Sequence, residues 1–240
     1  MTTKRISSWS GPRNVSTALM YAFAQRSDTR VVDEPLYAHY LRVTGLDHPG
    51  RELILAQMNQ DGTQVMEQTL RDPCDHPVLY LKQMAHHMVE LPESWLEQSE
   101  NLFLIRNPTD VICSFSKVIP SPTLQDIGIQ RQFELYQYLL DRGHTPIVVD
   151  GSELLKDPVG MLRRMCIALG LEPDDGMVSW NPGPRPEDGV WAPWWYENVH
   201  RSEGFQPYQP KTQQVPEHLK ELEQSALAFY QPLFEASIKA

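Results

Sequence analysis

The first residues suited to chemistry lie in a short segment near the start of the chain. Gly11 and Pro12 end a run that can extend as a strand, and a good helix former follows Ser16 and Thr17. A strand, a tight loop and a helix aim free backbone N–H groups and the helix dipole at an anion. Arg13 adds a fixed positive fork, and the two hydroxyl groups add hydrogen-bond donors. The segment therefore predicts a cradle for a phosphate or a sulfate.

One other interpretation of this segment stays open, and a second does not fit its residues. An ordinary strand-to-helix turn carries the same residue types, with Ser16 and Thr17 capping the helix. A nucleotide-hydrolysing P-loop needs a second glycine and a lysine, where this chain has Val15 and Ser16. The pattern is thus suited to anion binding and does not indicate hydrolysis of a magnesium-bound nucleotide.

A second candidate anion site follows the clearest core strand in the sequence. Residues 101–105 are Asn-Leu-Phe-Leu-Ile, and Arg106 comes directly after them. Asn107 suits a helix N-cap, Pro108 the first helical position and Asp110 the first turn. We therefore expect Arg106 at the carboxyl end of a buried strand, beside the start of a helix. The alternative for Arg106 is a surface charge at the sheet edge.

Candidates for proton transfer follow two other predicted strands. Glu34 closes one short strand, and Lys82 follows another, while His86 and His87 lie on a helix predicted over 84–90. Open parallel sheets bind their ligands at the carboxyl ends of the strands, which favours Glu34. Each candidate also has a structural alternative. Glu34 could hold a neighbouring arginine, and Lys82 could be a plain strand-end lysine. The two histidines could pack against the core.

Strands and helices alternate along the whole chain. Strands are predicted over 6–10, 30–34, 78–81, 101–105 and 146–150, and the longer helices over 124–142 and 217–234. This alternation predicts an α/β fold with a mostly parallel central sheet of about five strands and helices on both faces. We expect one domain over residues 1–240, with an irregular lid rich in proline and tryptophan over about 180–210.

Composition restricts the partners that such a domain can have. The 240 residues are 41% hydrophobic, enough for a packed core, and the formal net charge is −10. This charge argues against nucleic acid and against anionic membranes as partners, and it requires any anion site to be built from a few placed arginines. Three cysteines without metal-ligand spacing and a start without an apolar leader predict a cytoplasmic protein. The oligomeric state is not predicted.

Together, the two anion motifs resemble the sulfotransferases that use 3′-phosphoadenosine-5′-phosphosulfate (PAPS). In that family the first loop holds the 5′-phosphosulfate, and a motif of the form R-[DN]-P-x-D-x-x-x-S holds the 3′-phosphate. Here the second motif is residues 106–114, while the first departs from the family at Val15, where glycine is frequent. A third segment, residues 191–205, resembles the family's tryptophan–basic–phenylalanine segment that folds over the nucleotide.

The resemblance implies a P-loop NTPase-like, three-layer fold. It also implies transfer of a sulfuryl group from PAPS, leaving PAP, to a hydroxyl or in second place an amine of a small-molecule acceptor, with no metal required. It assigns cofactor binding to ten residues. They are Gly11, Pro12, Arg13, Asn14, Val15, Ser16, Thr17, Arg106, Ser114 and Arg201.

The resemblance also implies catalytic roles for several residues. Arg13 would oppose the charge that grows on the leaving phosphate, and Lys82 would help to hold the sulfuryl group. Glu34 is the favoured base, because some bacterial members use a glutamate in this region. Animal cytosolic members use a histidine in Lys-x-His, where this chain has Met84, so His86 or the adjacent His87 is the second choice.

Two further functions stay open, as does the acceptor pocket. A P-loop kinase would need Mg²⁺ and ATP, with Asp33 or Asp150 serving the metal, and a non-catalytic module would bind PAP alone. Tyr37, His39 and Tyr40, with the cluster over 191–196, are candidates for the acceptor pocket or for simple packing. The sulfotransferase prediction requires Arg13 and Arg106 to converge on one nucleotide.

Overall fold

The computed structural model describes residues 3–117, 120–210 and 214–240. The strands of these ranges are β1 (Lys4–Ser10), β2 (Thr29–Asp33), β3 (Val78–Met84), β4 (Glu100–Ile105) and β5 (Ile147–Asp150). They form one sheet in the order β2-β3-β1-β4-β5, and every neighbouring pair is parallel. The predicted α/β fold with about five parallel strands is confirmed.

Helices connect the strands. They are α1 (Ser16–Phe23), α2 (Tyr37–Thr44), α3 (Arg51–Gln57), α4 (Gly62–Arg71), α5 (Pro108–Phe115), α6 (Leu124–Ile127), α7 (Ile129–Leu140), α8 (Gly151–Lys156), α9 (Pro158–Ala168), α10 (Ala192–Trp195), α11 (Glu197–His200) and α12 (Lys220–Ala236). Among the described residues, none of these helices is both long and apolar enough to cross a membrane.

Side chains that alternate along the strands supply two cores, one on each face of the sheet. Trp9, Leu81 and Phe103 pack on one face with α4, α5, α7 and α12. Ile6 and Tyr80 pack on the other face with α1, α8 and α9. Helices therefore cover both faces, as the alternating pattern predicts. A third apolar cluster joins α2 and α3 to α10 within the segment predicted as a lid.

A crevice forms where the chain changes direction across the sheet. β1 and β4 are neighbours, but the helices that follow them lie on opposite faces, since α1 packs Leu19 into one core and α5 packs Ile112 into the other. Parallel sheets bind ligands outside the carboxyl ends of strands at such a point. Both predicted anion loops begin at this crevice.

Two side-chain amides bridge the crevice, one buried and one partly buried. The Nε2 of Gln132 on α7 donates to the carbonyl oxygens of Trp9 at 3.0 Å and Leu104 at 3.1 Å. The Nδ2 of Asn14 donates to the same Leu104 oxygen at 2.8 Å, and its Oδ1 accepts from the Val15 N–H at 2.8 Å. The first anion loop is thereby fixed to the end of β4.

Two predicted helices are wrong. The helix predicted over 84–90 is absent from the described residues, because β3 continues to Met84, paired with Ser10, and only a 3-10 turn at Ala85–His87 follows. The single helix predicted over 124–142 is divided into α6 and α7. Gly128 between them has a φ of +76°, a left-handed conformation that glycine adopts at little cost.

Candidate active site

The first anion loop turns sharply after β1. A Cβ atom on Gly11 would lie 2.8 Å from the carbonyl oxygen of Ile127, so this close approach requires glycine. The next non-proline residue, Arg13, has a φ of +58°, which is rare for residues with a side chain. Backbone strain of this kind concentrates at functional sites. The turn carries the Arg13 side chain to α5, where its Nε donates to Ser114 Oγ at 3.0 Å.

Arg106 reaches the same place from the end of β4. Its Nη1 donates to the carbonyl oxygen of Arg13, and its Nη2 lies 3.9 Å from Asp110. Burial lowers the pKa of Arg106, and the nearby Arg13 charge adds to this effect against the opposing Asp110. Two cations thus meet at this crevice, which favours an anionic ligand. The structure brings the two predicted anion motifs together.

The start of α1 completes this group. Val15 occupies the N-cap position, and its side chain makes no capping hydrogen bond, so Ser16 and Thr17 lie inside the helix rather than capping it. The N–H groups of a first helical turn have no partner within the helix. Together with the helix dipole, they are available to an anion beside Arg13.

A second polar group lies at the carboxyl ends of β2 and β3. Lys82 Nζ donates to Asp33 Oδ1 at 2.8 Å, to Glu34 Oε1, and to the hydroxyl of Tyr196 at 2.9 Å. The Tyr196 hydroxyl donates in turn to Asp33 Oδ2 at 2.6 Å. The side chains of Lys82 and Asp33 are only 2% and 1% exposed. All three ammonium N–H groups are therefore used, and one buried cation faces two carboxylates.

The charges in this group alter each other's proton affinity. Burial raises the pKa of Glu34, and the Asp33 charge adds to this effect while Lys82 opposes it. Burial would lower the pKa of Lys82, but Asp33, Glu34 and Tyr196 together raise it well above its ordinary value. A glutamate with a raised pKa is a better proton acceptor near neutral pH than an ordinary one. Glu34 also has a strained backbone, with a φ of +37°.

The segment predicted as a lid supplies part of this polar group. The Gly189 N–H donates to Asp33 Oδ2 at 3.1 Å, and the Trp191 indole donates to the Tyr196 hydroxyl at 3.1 Å. The ring of Tyr37 meets Trp191 edge-on, with 5.1 Å between the ring centroids. The lid segment is thus joined to the sheet by polar contacts as well as by packing.

The two candidate histidines lie in an aromatic cluster. His87 stacks on Tyr37 and Tyr40, with centroid distances of 4.8 Å and 4.6 Å, and His86 meets Tyr40 edge-on at 5.2 Å. Burial lowers the pKa of His86 to about 4 and the pKa of His87 well below its ordinary value. Both imidazoles are therefore neutral at neutral pH and are weak bases.

His39, a candidate for the acceptor pocket, has a structural role instead. The Gly62 N–H donates to His39 Nδ1 at 3.2 Å, so Nε2 carries the proton and donates to the Val89 carbonyl oxygen at 2.8 Å. Both ring nitrogens thus hold backbone segments together. Tyr37 and Tyr40 do come together with Trp191, Ala192 and Tyr196 in the third apolar cluster, while Trp194 and Trp195 of the predicted 191–196 cluster are exposed.

Comparison with known proteins identifies the family. A family model described as "Sulfotransferase domain" matches residues 4–236. The chain belongs to the sulfotransferase family. This match confirms the family that the two anion motifs indicate.

Three known proteins show how far the similarity extends. "Branched-chain-amino-acid aminotransferase-like protein 1" of Arabidopsis thaliana is 42% identical over 201 residues, which are 83% of this chain and 36% of that protein. The chain therefore spans little more than a third of this curated relative. A sulfotransferase from Alicyclobacillus acidocaldarius superposes with a TM-score of 0.57 at 12% identity. The superposition covers 99% of this chain and 98% of the Alicyclobacillus chain. The sulfotransferase domain of the curacin biosynthetic pathway has a TM-score of 0.54 at 18% identity, covering 95% and 98%. These two structures support the fold alone.

Several contacts at this site are not predicted by the sequence. Tyr196 was placed only in an aromatic cluster, and its bond to Asp33 joins positions 163 residues apart, for which local patterns carry no signal. Lys82, predicted to hold the sulfuryl group, uses its three N–H groups to hold carboxylates and the Tyr196 hydroxyl. Arg201 lies apart from the crevice contacts, since its side chain is 73% exposed and pairs with Glu197 at 2.6 Å.

Replacing Tyr196 by phenylalanine tests whether the lid segment stabilises the polar group around Lys82. Loss of the hydroxyl removes one buried hydrogen-bond partner from Asp33 and one from Lys82, so we expect the free energy of unfolding to fall by about 1–3 kcal/mol. Urea denaturation measures this change. Tyr138→Phe is the matched control, because its hydroxyl bonds Glu97 at the surface, and it is expected to change stability by less than about 0.5 kcal/mol. Equal effects of the two variants would contradict the buried role of Tyr196.

Proposed function

We propose that the chain transfers a sulfuryl group from PAPS to a hydroxyl, or in second place an amine, of a small-molecule acceptor. The observation that carries this proposal is the convergence of Arg13, Arg106 and Ser114 in the crevice between β1 and β4. PAPS has anionic groups at both ends of its ribose, and the two loops supply cations from two directions. Membership in the sulfotransferase family supports the type of transfer.

The residues of the crevice suggest how the donor is held. We assign the 5′-phosphosulfate to the loop from Gly11 to Thr17, through backbone N–H groups, the two hydroxyl groups and Arg13. The 3′-phosphate is assigned to Arg106 and Ser114. The side chain of Asn14 is engaged by the Leu104 carbonyl and the Val15 N–H, so Asn14 holds the loop in place and faces the donor with its backbone only. Arg201 remains a weaker assignment.

During the transfer the protein must stabilise the leaving phosphate, accept a proton from the acceptor and hold the accepting carboxylate in place. The acceptor oxygen forms a bond to sulfur, the bond from sulfur to the bridging oxygen breaks, and its electron pair stays on the leaving phosphate. Arg13 stabilises this new charge electrostatically, since a guanidinium does not lose its proton at neutral pH. Glu34 accepts the proton of the acceptor, and Lys82 holds the Glu34 carboxylate in place. No divalent metal takes part in this scheme.

Thermal denaturation with PAP tests the donor assignment. PAP is expected to raise the melting temperature without Mg²⁺, because ligands that bind only the folded state stabilise it. Arg106→Ala should weaken this stabilisation strongly, while Arg30→Ala on β2, whose side chain is 57% exposed, should leave it unchanged. Stabilisation by Mg-ATP alone would instead indicate a kinase.

Arg13→Ala tests the role of Arg13 in the transfer step. Turnover of labelled PAPS is expected to fall on the order of 10²–10³-fold, the loss that follows removal of one donor to a developing oxyanion. A library of small alcohols and phenols serves as acceptors. Binding of PAP with no turnover of any acceptor by the wild-type protein would leave the chain a PAP-binding module.

Glu34→Gln tests the base. The amide cannot accept the proton, so turnover is expected to fall about 10²–10⁴-fold while PAP still raises the melting temperature. In the wild-type protein the rate should rise with pH as Glu34 loses its proton. The ordinary pKa of glutamate is about 4.3. Because burial raises the pKa of Glu34, the midpoint of this rise should lie above that value. This limb should vanish in the variant. Unchanged turnover would exclude Glu34 and make His86 the next candidate.

A further inference from the structure

Two consecutive carboxylates meet one ammonium at the ends of β2 and β3. Asp33 is the register partner of Lys82 in the sheet, so the two side chains lie on the same face. The next residue of an extended strand would point to the opposite face. Glu34 instead bonds the same ammonium, because β2 ends at Asp33 and Glu34 has a φ of +37°. A backbone conformation that is costly for glutamate thus accompanies the second carboxylate.

The second carboxylate is not needed to balance the buried ammonium. Asp33 alone neutralises Lys82, and their side chains are only 1% and 2% exposed. An ionised Glu34 therefore leaves this buried site with an excess of negative charge, which is costly. Uptake of a proton by one of the two carboxylates relieves this cost.

Hydrogen bonds decide which of the two carboxylates gains that proton more readily. Asp33 accepts from Lys82 at 2.8 Å, from the Tyr196 hydroxyl at 2.6 Å and from the Gly189 N–H at 3.1 Å. Such donors stabilise the charged form of a carboxylate. Glu34 accepts from Lys82 alone among the described residues, and its side chain is 11% exposed. Glu34 is therefore both the carboxylate with fewer donors and the one nearer to the solvent.

The other titratable groups around this site do not compete for the proton. Burial raises the pKa of Tyr37 and the pKa of Tyr196, and the charge of Glu34 adds to both effects. Burial lowers the pKa of His87, which also faces the ammonium. All three groups are neutral at neutral pH. The ammonium and the two carboxylates therefore determine the electrostatics of this site.

We propose that Asp33 is a positioning residue for the transfer reaction: it fixes Lys82 against Glu34 and, with its own charge held by three donors, leaves Glu34 to accept the acceptor's proton. The lid segment takes part, because it supplies two of those donors, from Tyr196 and Gly189. The reacting role of Glu34 rests on the proposed function, whereas the effect of Asp33 on Glu34 does not. This effect is therefore tested first without donor or acceptor.

NMR titration of the full chain, labelled with ¹³C at the glutamate carboxyl carbons, measures the protonation of Glu34. The signal of Glu34 is the one that disappears in Glu34→Gln. Asp33→Asn removes a like charge from beside Glu34 and leaves the Lys82 ammonium to Glu34 alone. Both changes favour the ionised carboxylate, so the midpoint should move to lower pH by about one unit or more.

Tyr196→Phe is the matched control for this titration. It also removes buried hydrogen bonds of the group, but it keeps both carboxylate charges, so its midpoint should move clearly less than that of Asp33→Asn. Asp175→Asn removes a carboxylate that is 68% exposed and paired with Arg163, and should leave the midpoint unchanged. If Asp33→Asn does not fold, Asp33→Ser removes the same charge and keeps an acceptor for the ammonium.

Turnover of labelled PAPS then tests the effect on the reaction. In Asp33→Asn the midpoint of the pH dependence should move by the same amount as the NMR midpoint. The rate at the plateau should fall, because a carboxylate with a lower pKa is a weaker base. A structural role alone would lower the stability of the variant without moving either midpoint.

Three results would contradict these expectations. An NMR midpoint of Glu34 that is unchanged or higher in Asp33→Asn would overturn the proposal, and so would an equal shift in Tyr196→Phe. An NMR shift in a protein whose wild type turns over no PAPS would overturn the proposed function instead. The electrostatic effect of Asp33 on Glu34 would then stand without the reaction.

Discussion

The contact between the Arg106 guanidinium and the Arg13 carbonyl oxygen determines the geometry of the crevice. It joins the loop after β4 to the loop after β1, and it holds Arg13 in a backbone conformation that is otherwise unfavourable. The Arg13 charge then acts on the Arg106 guanidinium, whose Nη2 lies 3.9 Å from Asp110. Because like charges repel, the electrostatic energy of this arrangement falls when an anion binds between them. Ligand affinity and loop conformation are therefore coupled.

The polar group around Lys82 imposes a different constraint. Separating the buried Lys82 ammonium from the carboxylates of Asp33 and Glu34 is costly, because it leaves uncompensated buried charges. The lid segment contributes the Tyr196 hydroxyl and the Gly189 N–H to this group, so its position is determined by charge as well as by apolar packing. Movement of the lid segment would leave Asp33 Oδ2 without the Tyr196 hydroxyl and the Gly189 N–H, while Asp33 Oδ1 keeps its direct bond to Lys82. The candidate base is thus held by residues from three separate parts of the chain.

Local sequence patterns predicted the sheet, because apolar runs bounded by helix-start residues such as Asn107 and Pro108 determine where strands end and helices begin. The anion loops were predicted for the same reason, since their chemistry lies within a few consecutive residues. The continuation of β3 to Met84 was missed because pairing with β1 outweighs local helix preference. The partners of Lys82 were missed because Tyr196 lies 114 positions away, and no spacing rule relates the two. Whether each predicted site residue acts as proposed is decided by the variants above.

The amide bridge at the mouth of the crevice has a kinetic consequence. The β1–β4 ladder ends at the pair of Ser10 and Leu104, and Gln132 and Asn14 both donate to the Leu104 carbonyl oxygen at that point. These bonds hold the first anion loop in place before a ligand binds, so the proposed nucleotide would enter without a prior conformational step. Its association rate should then be governed by diffusion and by electrostatic steering, and should fall as ionic strength rises.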